Sequence, residues 1–216
     1  MLKKVVLALV VLIVGLGALI ASRPSTFRVE RSITMAAPAE IPFGAVNDFH
    51  KWRFWSPWDA LDPKMQVTFD GPYAGPGATY AWSGNDQVGK GKMSNLEAQP
   101  YDSIRIQLEF LEPWPASNIT TFTYKPVPEG VQVTWAMEGN NNFMGKAFSL
   151  FMDMDGMVGK DFEKGLATLK KLSEEEAKNR REREALLKAR EEAEAAKAAA
   201  AQAEQSAPTQ TATPTP

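Results

Sequence analysis

The segment of residues 158–172 constrains the fold most, because its apolar residues recur at helical spacing. They are Val158, Phe162, Leu166, Leu169 and Leu172, and charged side chains fall mostly on the other side. An amphipathic helix of this kind buries its apolar stripe against another element. The segments before it alternate apolar and polar residues, as half-buried strands do. We therefore predict a curved sheet around this helix, with a hollow between them.

The chain before that helix contains about seven predicted strands and one short helix. The strands cover residues 27–34, 65–69, 80–82, 87–98, 104–110, 118–124 and 131–137, and the helix covers residues 39–49. The last six strands are joined by short turns with no helix between them, which is typical of an antiparallel meander. We predict an α+β architecture, in which a curved antiparallel sheet surrounds a long C-terminal helix.

The N-terminal segment is apolar enough to cross a membrane. Residues 5–21 are all apolar or small and follow Lys3 and Lys4. At about 1.5 Å per residue they give roughly 26 Å of helix, enough for a thin hydrocarbon core. A cleaved secretory peptide is the alternative, but a cut after Ala21 puts Leu19 where a small residue is required. We predict a single-pass signal anchor, with a cytoplasmic N-terminus and the domain on the periplasmic or extracytoplasmic side.

We predict five regions along the chain. They are the anchor (1–22), a short linker (23–26), the globular domain (27–172), a charged helical extension (173–205) and a disordered tail (206–216). The extension is rich in Ala, Glu, Lys and Arg but has no apolar heptad seam between Leu172 and Leu186, which argues against a long coiled coil. A solvated helix and a helix that binds a protein partner both remain open.

Composition excludes several classes of function. The formal net charge is −2 and no basic stripe is present, which argues against a nucleic-acid partner. The chain has no cysteine, which excludes disulfides, thiolate catalysis and cysteine zinc sites. His50 is the only histidine, so it has no second histidine with which to share a metal. The glycine-rich segments at 75–77 and 89–92 lack the spacing of a phosphate-binding loop. We predict no metal and no cofactor.

Four carboxylates lie in or near turns, where aspartates usually cap backbone N–H groups. They are Asp59, Asp62, Asp70 and Asp86. Acid–base catalysis needs two facing groups with shifted pKa values, and the sequence indicates no such pair. We assign no catalytic residue.

Several separated motifs resemble one superfamily in the same order. They are the strand at 27–34 with Ala37-Pro38, then Asp48-Phe49, Trp52, residues 55–58, Gly71, Gly75 and Gly77, residues 80–85, residues 159–166 and Leu169-Lys170. Together they resemble the SRPBCC superfamily of START-like and birch-pollen-allergen-like helix-grip proteins, and within it the bacterial polyketide cyclase/dehydrase and lipid-transport group. The resemblance covers about residues 27–172 and implies an internal cavity. It does not imply one activity, because the superfamily includes lipid carriers, hormone binders and cyclases.

Large apolar and aromatic side chains on the sheet, on the methionine-rich approach to the last helix and on that helix are the candidates to line the cavity. They are Tyr80, Trp82, Ile106, Leu108, Phe110, Phe122, Tyr124, Val133, Trp135, Met137, Met144, Phe148, Met152 and Phe162. Trp and Tyr keep a polar edge for a mostly apolar guest, and Met adapts its shape readily. A filled core is the alternative interpretation.

Two further features have two interpretations each. Trp55 and Trp58 either seal the core or cap one end of the hollow. Gly165, inside the predicted helix, allows either a close approach to the sheet or room for a ligand, at roughly 1 kcal/mol less helix stability than alanine.

Three functions fit these features. The first is a membrane-tethered domain that binds a hydrophobic small molecule or a lipid. The second is an enzyme of the cyclase or dehydratase type, with Tyr80, Tyr124 and Arg31 as candidate polar groups. The third is a non-catalytic envelope scaffold whose charged helix binds a protein partner.

Overall fold

The computed structural model describes residues 2–141, 143–150 and 153–205. Helix α1 (Leu2–Ala21) is followed by β1 (Thr26–Met35), α2 (Glu40–Asn47) and a short 3-10 helix (Phe49–Phe54). Six strands follow: β2 (Gln66–Asp70), β3 (Thr79–Ser83), β4 (Lys90–Gln99), β5 (Ser103–Glu112), β6 (Ala116–Val127) and β7 (Gly130–Asn140). The chain continues into α3 (Phe143–Phe148) and α4 (Met154–Gln205).

The seven strands form one antiparallel sheet in the order β1-β7-β6-β5-β4-β3-β2. The first strand pairs with the last, so Thr26 lies opposite Asn140 and Met35 opposite Val131. The predicted α+β helix-grip fold, with a curved antiparallel sheet and a long C-terminal helix, is confirmed.

The strand register brings six strand ends together at one end of the sheet. They are Thr26, Asn140, Ala116, Glu112, Lys90 and Ser83. Because β1 begins just after α1, we call this the α1 end, and the opposite end the far end. Helix α4 runs from the α1 end, since Asp155 contacts Arg31 of β1, towards the far end, where Glu174 accepts a hydrogen bond from the Ala36 N–H at 2.8 Å.

The inner face of the sheet and the apolar stripe of α4 form the core. Trp135, at the centre of β7, stacks on Phe162 with ring centroids 4.0 Å apart and on Phe122 at 4.9 Å. Leu166 and Leu169 are also fully buried. Each such side chain contributes about 1.5–3 kcal/mol through its burial. Leu172, the last residue of the predicted stripe, is 38 % exposed.

Helix α4 begins one turn earlier than the apolar spacing indicates. The Asp153 carboxylate accepts a hydrogen bond from the Gly156 N–H at 2.9 Å and caps the first turn. The described residues up to Glu174 form one compact unit, and those from Glu175 onwards form a second. In the second unit, α4 carries exposed i,i+4 ion pairs, of which Glu176–Arg180 is 2.7 Å long.

Helix α1 is twenty residues long, strongly apolar and almost wholly exposed. It is long and apolar enough to cross a membrane, a criterion that a signal sequence also meets. Near its end, the Lys146 ammonium of α3 donates a hydrogen bond to the Ala21 carbonyl at 3.3 Å. Helix α3 therefore lies beside the end of α1.

Candidate ligand-binding cavity

A cavity of about 190 Å³ lies between the inner face of the sheet and the first turns of α4. Its wall is mostly apolar. Among the predicted residues, those that line it are Tyr80, Trp82, Leu108, Phe110, Trp135 and Met137 of the sheet, and Phe162 of α4. The strand alternation brings these side chains together because residues opposite one another in neighbouring strands point to the same face.

Four predicted residues lie on the same inner face but not around the cavity. Ile106, Phe122, Tyr124 and Val133 are all buried, with at most 3 % of their surface exposed. They lie further along their strands, away from the α1 end. In that part of the sheet, side chains from the 3-10 helix and the residue after it fill the hollow. Trp52 and Trp55 both contact Phe122 edge to face at 6.0 Å.

The methionine-rich approach to α4 does not face the cavity where it is described. Met144 is 56 % exposed on α3 and is not part of the cavity wall. The side chain of Phe148 and all of Met152 lie outside the described residues. Met154 and Met157 are 39 % and 54 % exposed.

Trp55 and Trp58, which we expected either to seal the core or to cap the hollow, differ in position. Trp55 is 2 % exposed and packs edge to face on Trp135, so it seals the core. Trp58 contacts the same Trp135 ring and also lines the cavity. Periodicity does not predict which of the two tryptophans faces the cavity, because both lie outside the regular helices and strands.

Trp82 depends on a glycine in the neighbouring strand. A Cβ atom at Gly91 would overlap the Trp82 indole ring, so only glycine leaves space for it. The indole Nε1–H donates a hydrogen bond to the Val88 carbonyl at 3.0 Å. Gly91 and Val88 thus orient Trp82 in the cavity wall, a role that the sequence analysis did not assign.

The polar groups in the cavity wall include carboxylates. Burial raises the pKa of Asp59, while a hydrogen bond with Ser56 opposes that shift. Burial also raises the pKa of Tyr80, and the charge of Asp59 raises it further. Asp161 of α4 lines the cavity too and pairs with Lys164 at 3.3 Å. Of the described residues that form this wall, none is Lys, Arg or His. The wall therefore favours a neutral hydrogen-bond donor over an anion.

A second cavity of about 640 Å³ adjoins the first. The two share Ser56, Asp59, Met65 and Tyr80 as wall residues. The second carries basic groups, Arg53 and Lys164. A guest too large for the first cavity can therefore extend into the second, where basic and acidic groups are both available.

Of the three polar groups considered for an enzyme, only Tyr80 lines the cavity. The Tyr124 hydroxyl is buried without a hydrogen-bond partner among the described residues, and burial raises its pKa. Arg31 bonds instead to Asp155 and Glu163 of α4. Asp59, which we assigned to a turn, is the acidic group next to Tyr80.

His50 lies between two aromatic rings. Its imidazole stacks on Phe69 at 4.0 Å and on Tyr73 at 4.3 Å, and Nδ1 lies 3.0 Å from an Asp48 oxygen. This packing holds the start of the 3-10 helix against β2 and the loop that follows β2.

The family described as polyketide cyclase/dehydrase and lipid transport matches residues 26–174 of the chain. The chain belongs to this family. The resemblance to it inferred from the sequence motifs is thereby confirmed, and membership together with the helix-grip fold supports a ligand-binding domain. A search of curated proteins gives no match.

Solved structures with the same fold are distant in sequence. Protein CV1439 from Chromobacterium violaceum is 21 % identical, with a TM-score of 0.50, and the match covers 70 % of this chain and 99 % of that one. Aha1 from Colwellia psychrerythraea, solved as a dimer, is 15 % identical with a TM-score of 0.50, over 68 % and 96 % of the two chains. The di-domain ARO/CYC StfQ from the steffimycin biosynthetic pathway is 11 % identical with a TM-score of 0.51, over 70 % of this chain and 52 % of StfQ. At these identities the likeness concerns the fold.

Proposed function

We propose that the chain is a membrane-tethered domain that binds a hydrophobic small molecule or a lipid in the cavity beneath α4. The observation that carries the proposal is the mostly apolar cavity between helix and sheet, in a member of a family whose description includes lipid transport.

The cavity volume limits the part of the ligand that it holds. About 150 Å³ is enough for benzene, and pockets for drug-sized molecules are roughly 300–1,000 Å³. The first cavity, at about 190 Å³, therefore accepts one ring or a short alkyl segment. A longer ligand places its remainder in the adjoining cavity of about 640 Å³.

The tether is the second part of the proposal. Helix α1 anchors the chain, and residues 22–25, between α1 and β1, reach at most about 14 Å. Lys3 and Lys4 favour a cytoplasmic N-terminus, which puts the domain on the extracytoplasmic side. We retain the five predicted regions, with boundaries at 22, 26, 172 and 205, as part of this proposal.

Binding is tested by filling the cavity. Leu108→Trp places an indole at a wall position, and Leu96→Trp makes the same exchange at a position 44 % exposed to solvent. In mild detergent, native mass spectrometry with decanol should show at least tenfold weaker binding for L108W, about 1.4 kcal/mol, and little change for L96W. Equal affinity of L108W and the parent chain for decanol would refute the proposed cavity.

The charge of the wall predicts a preference between two ligands of equal chain length. Decanol should bind more tightly than decanoate at neutral pH, because Asp59 and Asp161 disfavour a second anion. Tighter binding of decanoate would show that the ligand uses the basic groups of the second cavity instead.

Asp59 and Tyr80 favour a second candidate, an enzyme of the cyclase or dehydratase type. They are two ionisable groups beside an apolar wall, with pKa values raised by burial. A co-purified ligand incubated with the parent chain should then change in mass if it is dehydrated, or in chromatographic retention at constant mass if it is cyclised, while the same ligand with Asp59→Asn should not. A ligand whose mass and retention stay constant with both chains favours the binding function.

A further inference from the structure

Six large exposed apolar side chains lie around the α1 end of the domain. They are Leu111 (58 % exposed), Trp114 (69 %), Phe143 (56 %), Met144 (56 %), Met154 (39 %) and Met157 (54 %). They come from three places that are distant in sequence, namely the β5–β6 hairpin, α3 and the first turn of α4. A group of large apolar residues at one exposed surface is typical of an interaction site.

The fold accounts for their common location. Glu112 and Ala116 end the β5–β6 hairpin at the α1 end, and α3 follows β7 at that same end. Helix α4 begins nearer this end than the far end, because Asp155 bonds to Arg31 at the middle of β1 while Glu174 bonds to Ala36, just beyond its far end. The strand register thus collects these side chains around the point where the chain leaves α1.

Continuity with α1 indicates what covers this surface. Lys146 of α3 bonds to the Ala21 carbonyl, and only residues 22–25 separate α1 from β1. If α1 spans the bilayer, the α1 end lies within about 14 Å of its surface. Tryptophan is enriched at the membrane interface, where apolar side chains gain from contact with acyl chains. Arg23 and Lys146, at the same level, suit lipid phosphates.

We propose that the α1 end is a membrane-docking surface, whose apolar side chains enter the interface of the leaflet into which α1 runs. This inference rests on the proposed tether and extends it, because docking fixes the orientation of the cavity. Val88, Phe110, Met137 and Val158 line the cavity towards the α1 end. Docking therefore directs that end of the cavity at the lipids, so that a guest passes between cavity and leaflet without crossing bulk water.

The absence of cysteine from the sequence makes the test direct, since each added cysteine carries the only label. Spin labels are attached singly to Leu111→Cys, Phe143→Cys and Met157→Cys in the full chain. The chain is reconstituted in vesicles of phosphatidylethanolamine and phosphatidylglycerol. Leu96→Cys, on β4 towards the far end, is the matched control for Leu111→Cys, and Leu12→Cys reports on α1. All five positions are exposed, so the fold is retained.

Collisions with oxygen, which concentrates in lipid, are compared with collisions with a water-soluble nickel chelate. We expect the labels at 111, 143 and 157 to favour oxygen, as the label at 12 does, and the label at 96 to favour the chelate. Labels at 111, 143 and 157 that behave like the one at 96 overturn docking and leave the tether intact. Labels protected from both probes indicate self-association and also overturn docking. A label at 12 in water overturns tether and docking together.

Discussion

Gly165 shows how one missing methyl group brings α4 close to the sheet. A Cβ atom there would lie 2.8 Å from the Trp135 ring and 3.1 Å from the Pro57 ring. Of the two interpretations of this glycine, the structure favours close approach over room for a ligand. Trp135 fills the space that Gly165 leaves, and it is fixed by a hydrogen bond from its Nε1–H to the Thr120 hydroxyl at 2.9 Å.

Gly165→Ala should destabilise the domain although alanine favours helices. The gain in helix propensity is about 1 kcal/mol, whereas overpacking a rigid aromatic contact costs typically 1–3 kcal/mol. We expect a net loss of up to about 2 kcal/mol, measured by urea unfolding in detergent. Gly44→Ala is the matched control, because Gly44 of α2 has open space around its Cβ position. It should be neutral or stabilising, and a stable G165A would show that α4 can shift.

Asp59→Asn should stabilise the fold at neutral pH. Burial raises the pKa of Asp59 in the folded state, so its protonated form is favoured and its ionised form opposes folding. The wild-type carboxyl stabilises the fold fully at a pH below its unfolded pKa. This stabilisation is lost as pH rises through the folded pKa. The melting temperature of D59N should therefore exceed that of the parent at pH 7, and the difference should shrink as pH falls towards 3.8, the ordinary pKa of aspartate. A difference that grows on acidification would contradict this account.

At the scale of elements, Arg31 joins β1 to the first turns of α4. Its guanidinium bonds to Glu163 at 2.8 Å and to Asp155 at 3.0 and 3.1 Å. The hydrogen bonds raise the pKa of Arg31, and the bond with Arg31 lowers the pKa of Asp155. Gly159 leaves the space in which the guanidinium lies, because a Cβ atom there would overlap it.

Arg31→Leu should loosen this contact and change the acid response. Because the pKa of Asp155 is lowered in the folded state, its ion pair with Arg31 stabilises the fold fully above pH 3.8. This stabilisation is lost as pH falls through the folded-state pKa of Asp155. The parent should therefore lose stability relative to R31L on acidification below pH 3.8, as measured by thermal unfolding. Arg28→Leu is the control on the same strand, since Arg28 forms ion pairs with exposed Glu30 and Glu138. Equal acid responses of R31L and R28L would argue against the Arg31 contact.

The elements differ in how far the sequence determined them. Alternation in β5 and β7 identified inner-face residues such as Leu108 and Trp135. Alternation cannot say how far along a strand the cavity extends, and so Ile106 and Val133 were candidates although they lie in the filled part. Wall residues such as Trp52 and Asp59 lie in the 3-10 helix and in the segment after it, where no periodicity marks an inner face. Trp52 packs on Phe122 and Trp135 of the sheet, and no local pattern encodes such tertiary contacts.

At the scale of the whole molecule, contacts of α4 explain why the first compact unit ends at Glu174. We predicted the globular domain to end at 172, and the family match extends to 174. Ser173 is buried and Glu174 bonds to the Ala36 N–H, which ties α4 to the end of β1. These two contacts lie just beyond the proposed boundary at 172.

A chain that ends at Leu172 should be less stable than one that ends at Glu182. The shorter chain loses the bond between Glu174 and Ala36, a contribution of about 1 kcal/mol for one such hydrogen bond. Urea unfolding of the two chains measures the difference, and Glu174→Gln in the longer chain separates the charge from the helix end. Equal midpoints for both chains would support the proposed boundary at 172.

The pairing of β1 with β7 has a consequence for how the chain matures. The first strand emerges shortly after α1, yet among the described strands it pairs with β7, the last of them to be synthesised. Contacts between segments so distant in sequence form slowly, and an unpaired strand edge is prone to aggregate. If α1 is a membrane anchor, the first strand therefore stays unpaired beside the bilayer until β7 has been made, and a chaperone that binds exposed strand edges would act in this interval.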